Sequence, residues 1–388
     1  MPAPYRQFLG RLSWLLLSLA LPGAAQADEA ARVRAVVEPV IGALMARHEI
    51  PGMAVGVALR ARPYLFHFGV ADKASGQPVT DDTLFEIGSL SKPLTATLVA
   101  YAAVTGRLSL SDMPSRHVPE LRGAPIDRAT LLELGTYTAG GLPLQFPDAV
   151  TDDKAALAYY AQWVPAARPG TQRRYSNPSL GLFGLAASNA LGQSFAGAME
   201  SLVFPAFGMT RSFLHVPKHA AADYAWGYRS DRAVRVNPGP MDEQAYGVKT
   251  TAADLLRFVQ GNITPGALPA PMRQAVQLTQ VAQFRAGPLV QGLGWEQYPY
   301  PTSRARLLDG NAAEMVLSPQ PAQRIQADRG QGARLFNKTG STGGFGAYAL
   351  FVPTENLGIV LLANRNFPNS ARIEAAWAIR QGVVGKAP

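Results

Sequence analysis

Strand-forming runs stand at both ends of this 388-residue chain, and a helical stretch separates them. Gly52 to Leu59 and Tyr64 to Val70 read as two strands of a hairpin, because apolar runs there are bounded by turn signals. Gly344 to Val352 and Leu357 to Ala363 form a second pair across Pro353-Thr354-Glu355-Asn356. Helices are expected over Ala30 to His48, where Val33, Val36, Val37, Val40, Ile41 and Leu44 recur at helical spacing, and from Ser370 to about Gly382. From about Asp112 to Ala225, helical segments are broken by Pro/Gly loops such as Ala139-Gly-Gly-Leu-Pro-Leu-Gln145 and Ala167-Arg-Pro-Gly170. Asn262 to Pro271 and Gln320 to Gly332 are rich in Pro, Gly and Gln and are expected as surface loops. No linker between independent domains is visible. The expectation is one unit, with an α/β subdomain of about residues 28–84 and 230–388 beside a mainly helical subdomain of about 85–229.

Residues 1–27 read as an export signal: Arg6 and Arg11 precede the apolar run Leu12 to Leu21, and Ala25-Gln26-Ala27 has the small-x-small form of a cleavage site. The run is much shorter than the ~20 residues of a spanning helix. The mature chain is therefore expected to start near Asp28, in the periplasm and without stable membrane association. There is no cysteine, so stability after export must come from an apolar core, for which 47% hydrophobic residues are adequate. The net charge of +9 is spread over single basic residues with no run that marks a nucleic-acid footprint.

Several chemistries drop out. A thiol nucleophile is excluded. The sharp G-x-S-x-G elbow of α/β-hydrolases is missing, and Gly192-Gln-Ser-Phe-Ala196, the nearest match, lies among helical residues. His215-x-x-x-His219 lacks the glutamate of H-E-x-x-H and contains Pro217, so no metal is expected. Gly340-Ser-Thr-Gly-Gly-Phe-Gly346 matches neither phosphate-loop pattern and leads into a strand.

What remains is lysine as base. In Phe85-Glu-Ile-Gly-Ser-Leu-Ser-Lys92, the apolar run Leu94 to Val104 continues a helix opened by Ser89, and Ser89 and Lys92 share one face. S-x-x-K pairs a hydroxyl with an amine that accepts its proton once desolvated or crowded by positive charge. With 19 serines and seven lysines that spacing alone is near chance, and a capping serine beside a solvated lysine is the plain alternative. Tyr175-Ser-Asn177 and Lys338-Thr-Gly340 follow in order and change the weight. Two lysines near the Tyr175 phenol favour the phenolate and make it a second proton carrier. Asn177 offers an amide to a substrate amide, Lys338 and Thr339 offer a cation and a hydroxyl to a carboxylate, and Gly340 leaves room for substrate beside the backbone. The backbone N–H groups of Ser89 and Ser341 are candidates for an oxyanion hole. Ser91 is expected to hydrogen-bond at the helix terminus.

Together with Thr136-Tyr-Thr-Ala-Gly-Gly-Leu-Pro-Leu-Gln-Phe-Pro-Asp148, Tyr246-Gly-Val-Lys249, Gln291-Gly-Leu-Gly-Trp-Glu296, Lys338-Thr-Gly-Ser-Thr-Gly-Gly-Phe-Gly346 and Asn364-Arg-Asn-Phe-Pro-Asn369, these motifs resemble the class C serine β-lactamases, or cephalosporinases. The resemblance runs through most of the mature chain. It implies an α/β fold of the β-lactamase/D-Ala-D-Ala-peptidase type, with an antiparallel sheet flanked by helices and a mainly helical subdomain. It also implies acylation of Ser89 by a β-lactam carbonyl, proton handling by Lys92 and Tyr175, and hydrolysis of the acyl-enzyme by water. Gln145 and Asn177 would contact the acylamino side chain, and Tyr246 would wall it. Thr339, Asn366, Asn369 and Arg372 would recognise the carboxylate. No cofactor is implied, the only partner is a small-molecule β-lactam, and the chain is expected to act as a monomer. Leu90 and Pro93 depart from the family's common residues.

Three other readings use the same residues: a penicillin-sensitive D-alanyl-D-alanine peptidase, an esterase of the same fold, and a penicillin-recognising sensor that is acylated without turnover. The complete K-T-G speaks against many such esterases.

Overall fold

The structure, a computed structural model, describes Met1 and residues 22–328 and 332–385. The charged and apolar parts of the expected export signal lie outside the described residues. Among the described residues no helix is long and apolar enough to cross a membrane.

The two ends of the chain meet in one sheet. Its ten strands are β1 (Gly52–Leu59), β2 (Arg62–Gly69), β3 (Gln172–Arg173), β4 (Ala282–Ala286), β5 (Leu289–Gln291), β6 (Glu296–Pro299), β7 (Gln320–Asp328), β8 (Arg334–Ser341), β9 (Gly346–Val352) and β10 (Leu357–Ala363). They lie in the order β2-β1-β10-β9-β8-β6-β5-β4-β7-β3, and the recorded pairings are antiparallel. β1 pairs with β10 from Met53 opposite Ala363 to Leu59 opposite Leu357.

Alternation explains why the central strands are buried on both sides. Met53, Val55, Val57 and Leu59 share a core with Val33, Val37 and Ile41 of α1 (Pro22–His48) and with Ile373 and Ile379 of the C-terminal helix Asn369–Val384. Ala54 and Ala58 face the other way, into a core with Leu255, Leu256 and Val259 of the helix Ala252–Ile263.

The helix α2 (Ser91–Val104) is apolar nearly all round and is accordingly buried. Leu94 and Leu98 enter the core on the sheet side. Ala96, Val99 and Ala102 enter a third core with Leu180, Phe183 and Ala187 of α3 (Asn177–Leu191). This central helix therefore holds sheet and helical region together. Pro93 is its third residue, inside the first turn where its missing N–H breaks no intrahelical bond, and Leu90 is a core residue.

Two expected loops are corrected. Gln320 to Asp328 is β7, near the edge of the sheet, where Pro321 pairs with Gln172 and Ala322 with Ala286; proline is tolerated at such an edge. Asn262 to Pro271 spans the end of the helix Ala252–Ile263, a 3-10 turn at Pro265–Ala267 and the start of the helix Ala270–Thr279.

Candidate active site

Ser89 lies in a 3-10 turn, Gly88–Leu90, immediately ahead of α2 rather than inside it. Gly88 has φ +51°, and a Cβ there would stand 2.4 Å from the Ser341 carbonyl oxygen. A Cβ on Gly340 would stand 1.9 Å from the Ile87 carbonyl oxygen and 2.7 Å from the Leu90 nitrogen. The glycines of the two motifs thus let the turn and β8 pack backbone to backbone. This corrects the expectation for Gly340: the space beside it is filled by the turn that carries Ser89, although its outer side still borders the cleft. The Ile87 N–H donates to the Val248 carbonyl, and the Val248 N–H donates to Ser91 Oγ. Ser91 therefore bonds a neighbouring segment instead of its own helix terminus.

Lys92, one turn on, has no exposure to solvent. Its Nζ donates to Ser89 Oγ at 3.0 Å, to Asn177 Oδ1 at 2.6 Å and to the Ala245 carbonyl at 2.8 Å. Burial brings its pKa down to about 8, with Lys338 acting in the same direction and Tyr175 opposing.

Tyr175 sits between β3 and α3, whose first turn is capped by Ser176 Oγ accepting the Ser179 N–H at 3.0 Å. Lys338 Nζ stands 5.0 Å and Lys92 Nζ 5.1 Å from its ring centre. Burial alone would raise the phenol's pKa. Lys338 and then Lys92 outweigh it and bring the value down to about 8, with the Ser89 hydroxyl adding to the effect. The buried Tyr175 hydroxyl makes no well-aligned hydrogen bond among the described residues, so Ser89 acts on it as a near neighbour. Lys338 is 2% exposed and donates from Nζ to the Thr339 carbonyl at 2.9 Å.

Ser89, Tyr175 and Lys338 border a cleft of about 900 Å³, also lined by Gln145, Asn177, Tyr246, Thr339, Ser341, Asn366 and Asn369, whereas the fully buried Lys92 is not on its wall. Gln145, Ser341 and Asn366 are exposed, while Tyr246, Thr339 and Asn369 are half-buried. Arg372 is not on the cleft wall. It is 1% exposed, and its guanidinium donates to the carbonyls of Gly340 (2.6 Å), Phe367 (2.6 Å) and Ala347 (3.2 Å) and to Asn366 Oδ1 (2.6 Å). Direct carboxylate recognition by Arg372 is corrected on that ground: its donors hold β8 and Asn366 in place, and burial lowers its pKa to about 9.

Sequence reasoning missed Arg173 and Glu296. Arg173 is fully buried and Glu296, on the cleft wall, is 6% exposed. The signal available was Glu296 itself, a carboxylate ending an otherwise uncharged run. Nothing in the chain's order places Arg173 against it.

The arrangement is suited to acyl transfer. An amine and a phenol that both release protons near pH 8 flank a hydroxyl, and a second cation faces the same space. No group of three or more His, Cys, Asp or Glu residues able to hold a metal occurs among the described residues.

A family model described as Beta-lactamase matches residues 37–384. The curated relatives include the β-lactamase of Pseudomonas fluorescens, 46% identical over 354 residues that cover 89% of this chain and 98% of that protein. The β-lactamase of Escherichia coli (strain K12) is 43% identical over 350 residues, covering 90% and 93%. Among solved structures, the D-alanine carboxypeptidase AmpC from Burkholderia cenocepacia superposes with a TM-score of 0.86 at 46% identity, covering 91% of this chain and 99% of that one. A β-lactamase/D-alanine carboxypeptidase from Pseudomonas syringae gives 0.87 at 41%, covering 90% and 98%. With its fold, its Ser-Lys-Tyr-Lys cluster and this full-length similarity, the chain belongs to the β-lactamase family.

Proposed function

We propose that this protein is an exported class C serine β-lactamase with cephalosporinase preference, acting as a periplasmic monomer. The observation that carries the reading is the Ser89–Lys92 contact of 3.0 Å beside a phenol flanked by two lysines. Ser89 Oγ attacks the lactam carbonyl while its proton passes to Lys92 and on through Tyr175 to the departing ring nitrogen. The C–N bond breaks and an ester to Ser89 remains. A water then attacks that ester, gives its proton to Tyr175, and Ser89 leaves with a proton returned. The backbone N–H groups of Ser89 and Ser341 receive the developing oxyanion. Lys338, Thr339 and Asn369 bind the substrate carboxylate, with Asn366 held beside them by Arg372. Gln145 and Asn177 bind the acylamino group, and Tyr246 walls it.

A chromogenic cephalosporin tests this. The purified mature chain should turn it over many times, and Ser89→Ala should abolish turnover. Undiminished activity in Ser89→Ala would remove the nucleophile assignment. A second reading, D-alanyl-D-alanine carboxypeptidase, is favoured by the names carried by both structural neighbours. Stoichiometric acylation by the cephalosporin, with release of D-alanine from a D-alanyl-D-alanine peptide, would select it.

A further inference from the structure

A buried ion pair stands behind the phenol. Arg173, two residues before Tyr175, donates from Nε to Gln291 Oε1 at 2.8 Å, from one terminal nitrogen to the Met315 carbonyl at 2.9 Å, and from the other to Glu296 Oε1 at 3.2 Å. All three of its nitrogens are engaged. Its guanidinium carbon lies 5.3 Å from the ring centre of Tyr137 and 5.8 Å from that of Tyr175, and the two rings are 4.8 Å apart. Glu296 opens β6, which pairs with β8, the strand of Lys338, and lies opposite Asn337.

We propose that Arg173 and Glu296 are positioning residues for the Ser-Lys-Tyr site: Arg173 pins the Glu296 carboxylate in the cleft wall, and the fixed pair governs how strongly Tyr175 holds its proton. The inference rests on the role proposed above for Tyr175.

The groups facing Tyr175 are Ser89 from the 3-10 turn, Lys92 from α2, Lys338 from β8, Arg173 from β3, Tyr137 from the loop beneath it and Glu296 from β6. Glu296 is the one carboxylate among those shifting its titration, and it works against the lysines. Tyr137 is held neutral, since burial and then Tyr175 push its pKa well up. A carboxylate free to swing toward Lys338 or Lys92 would cancel the charge that makes the phenol acidic. Held at 3.2 Å by an arginine that Gln291 and the Met315 carbonyl anchor in turn, it cannot. Magnitudes favour this role over stabilisation. A buried ion pair roughly breaks even against well-packed apolar replacements, whereas one charge displaced within a few ångströms of a titrating group moves its pKa by about a unit.

The test is a phenolate absorbance titration, read as the difference between each protein and the same protein carrying Tyr175→Phe. Glu296→Gln should lower the Tyr175 midpoint by about one pH unit. Arg173→Gln should raise it by a similar amount, because it leaves the carboxylate unpinned. Should Arg173→Gln not fold, the double variant Arg173→Gln/Glu296→Gln carries no lone buried charge and should titrate above Glu296→Gln, because the cation 5.8 Å from the ring is gone as well. The rising limb of kcat against pH should move with the titration, which a purely structural role would not produce. A midpoint in Glu296→Gln equal to that of the unaltered protein, or in the double variant no higher than in Glu296→Gln, overturns the inference. Absence of β-lactam turnover would instead overturn the activity and leave the titration readable.

Discussion

The inner wall of the cleft and its outer rim are built differently. On the inner wall Tyr175, Asn177 and Lys338 are all under 10% exposed, and Lys92, buried in contact with Ser89 and Asn177, is fixed by atoms from α3 and from the short helix Asp242–Tyr246. On the rim, Gln145 and Asn366 are exposed, and Gln145 makes no side-chain hydrogen bond among the described residues. Inner residues owe their chemistry to burial, which lowers the pKa of Lys92 and packs the two lysines against Tyr175. Rim residues keep ordinary side-chain properties and act only by contact. Substitutions on the wall should therefore act on kcat and its pH dependence, and substitutions on the rim on KM.

The largest effect is expected at Lys92. Lys92→Met keeps the packing volume but removes the proton acceptor, and kcat should fall by about 10³-fold with KM little changed. In the unaltered enzyme the rate should rise with pH through about 8, as Lys92 and Tyr175 lose protons, and in the variant, where Tyr175 titrates without that cation beside it, the limb should move to higher pH. Equal changes in kcat and KM would break the distinction between wall and rim. Tyr175→Phe should come next, lowering kcat by about 10²-fold while leaving binding of a poor substrate nearly unchanged.

Gly340→Ala probes the wall's backbone instead of its charges. The added methyl meets the Ile87 carbonyl, so turn and strand must part, at a cost of about 1–3 kcal/mol. Denaturant unfolding should report that loss, together with reduced kcat as Ser89 moves away from β8. An unchanged unfolding midpoint would show that the turn yields freely.

This contrast also explains what the chain disclosed before its structure. Ser89, Lys92, Tyr175 and Lys338 stood out as candidates because S-x-x-K, near chance alone, is followed in order by Tyr175-Ser-Asn177 and Lys338-Thr-Gly340, which add a phenol and a second cation. The strand pairs at the two ends were legible because short apolar runs such as Gly52 to Leu59 are bounded by turn signals, as suits strands buried on both faces. Gly340 was legible as a necessity, yet its reason was not, since a close approach to Ile87 involves a partner some 250 positions away in the chain. Arg372 was expected to recognise a carboxylate because the resemblance to the class C enzymes implies it, and only its burial shows that backbone carbonyls take its donors. The pairing of Arg173 with Glu296 was silent for the same reason: Glu296 stands out in its uncharged run, but a charge pair between sequence-distant segments leaves no local pattern. β7 was hidden by its glutamines and Pro321, which suit a position near the sheet edge as well as a loop.

The smallest expected effects lie on the rim, and comparing two of its residues sharpens the contrast further. Gln145→Ala removes a side chain with no protein partner, so stability should be unchanged and KM for a substrate with an acylamino group should rise about fivefold, the worth of one hydrogen bond. Asn366→Ala removes an equally exposed amide whose Oδ1 accepts from Arg372 at 2.6 Å. That guanidinium nitrogen keeps only the Phe367 carbonyl, so about 1 kcal/mol of stability should be lost along with a comparable rise in KM. If both variants unfold at the same denaturant concentration as the unaltered protein, Arg372 does not tie the rim to the wall, and Asn366 belongs wholly to the rim.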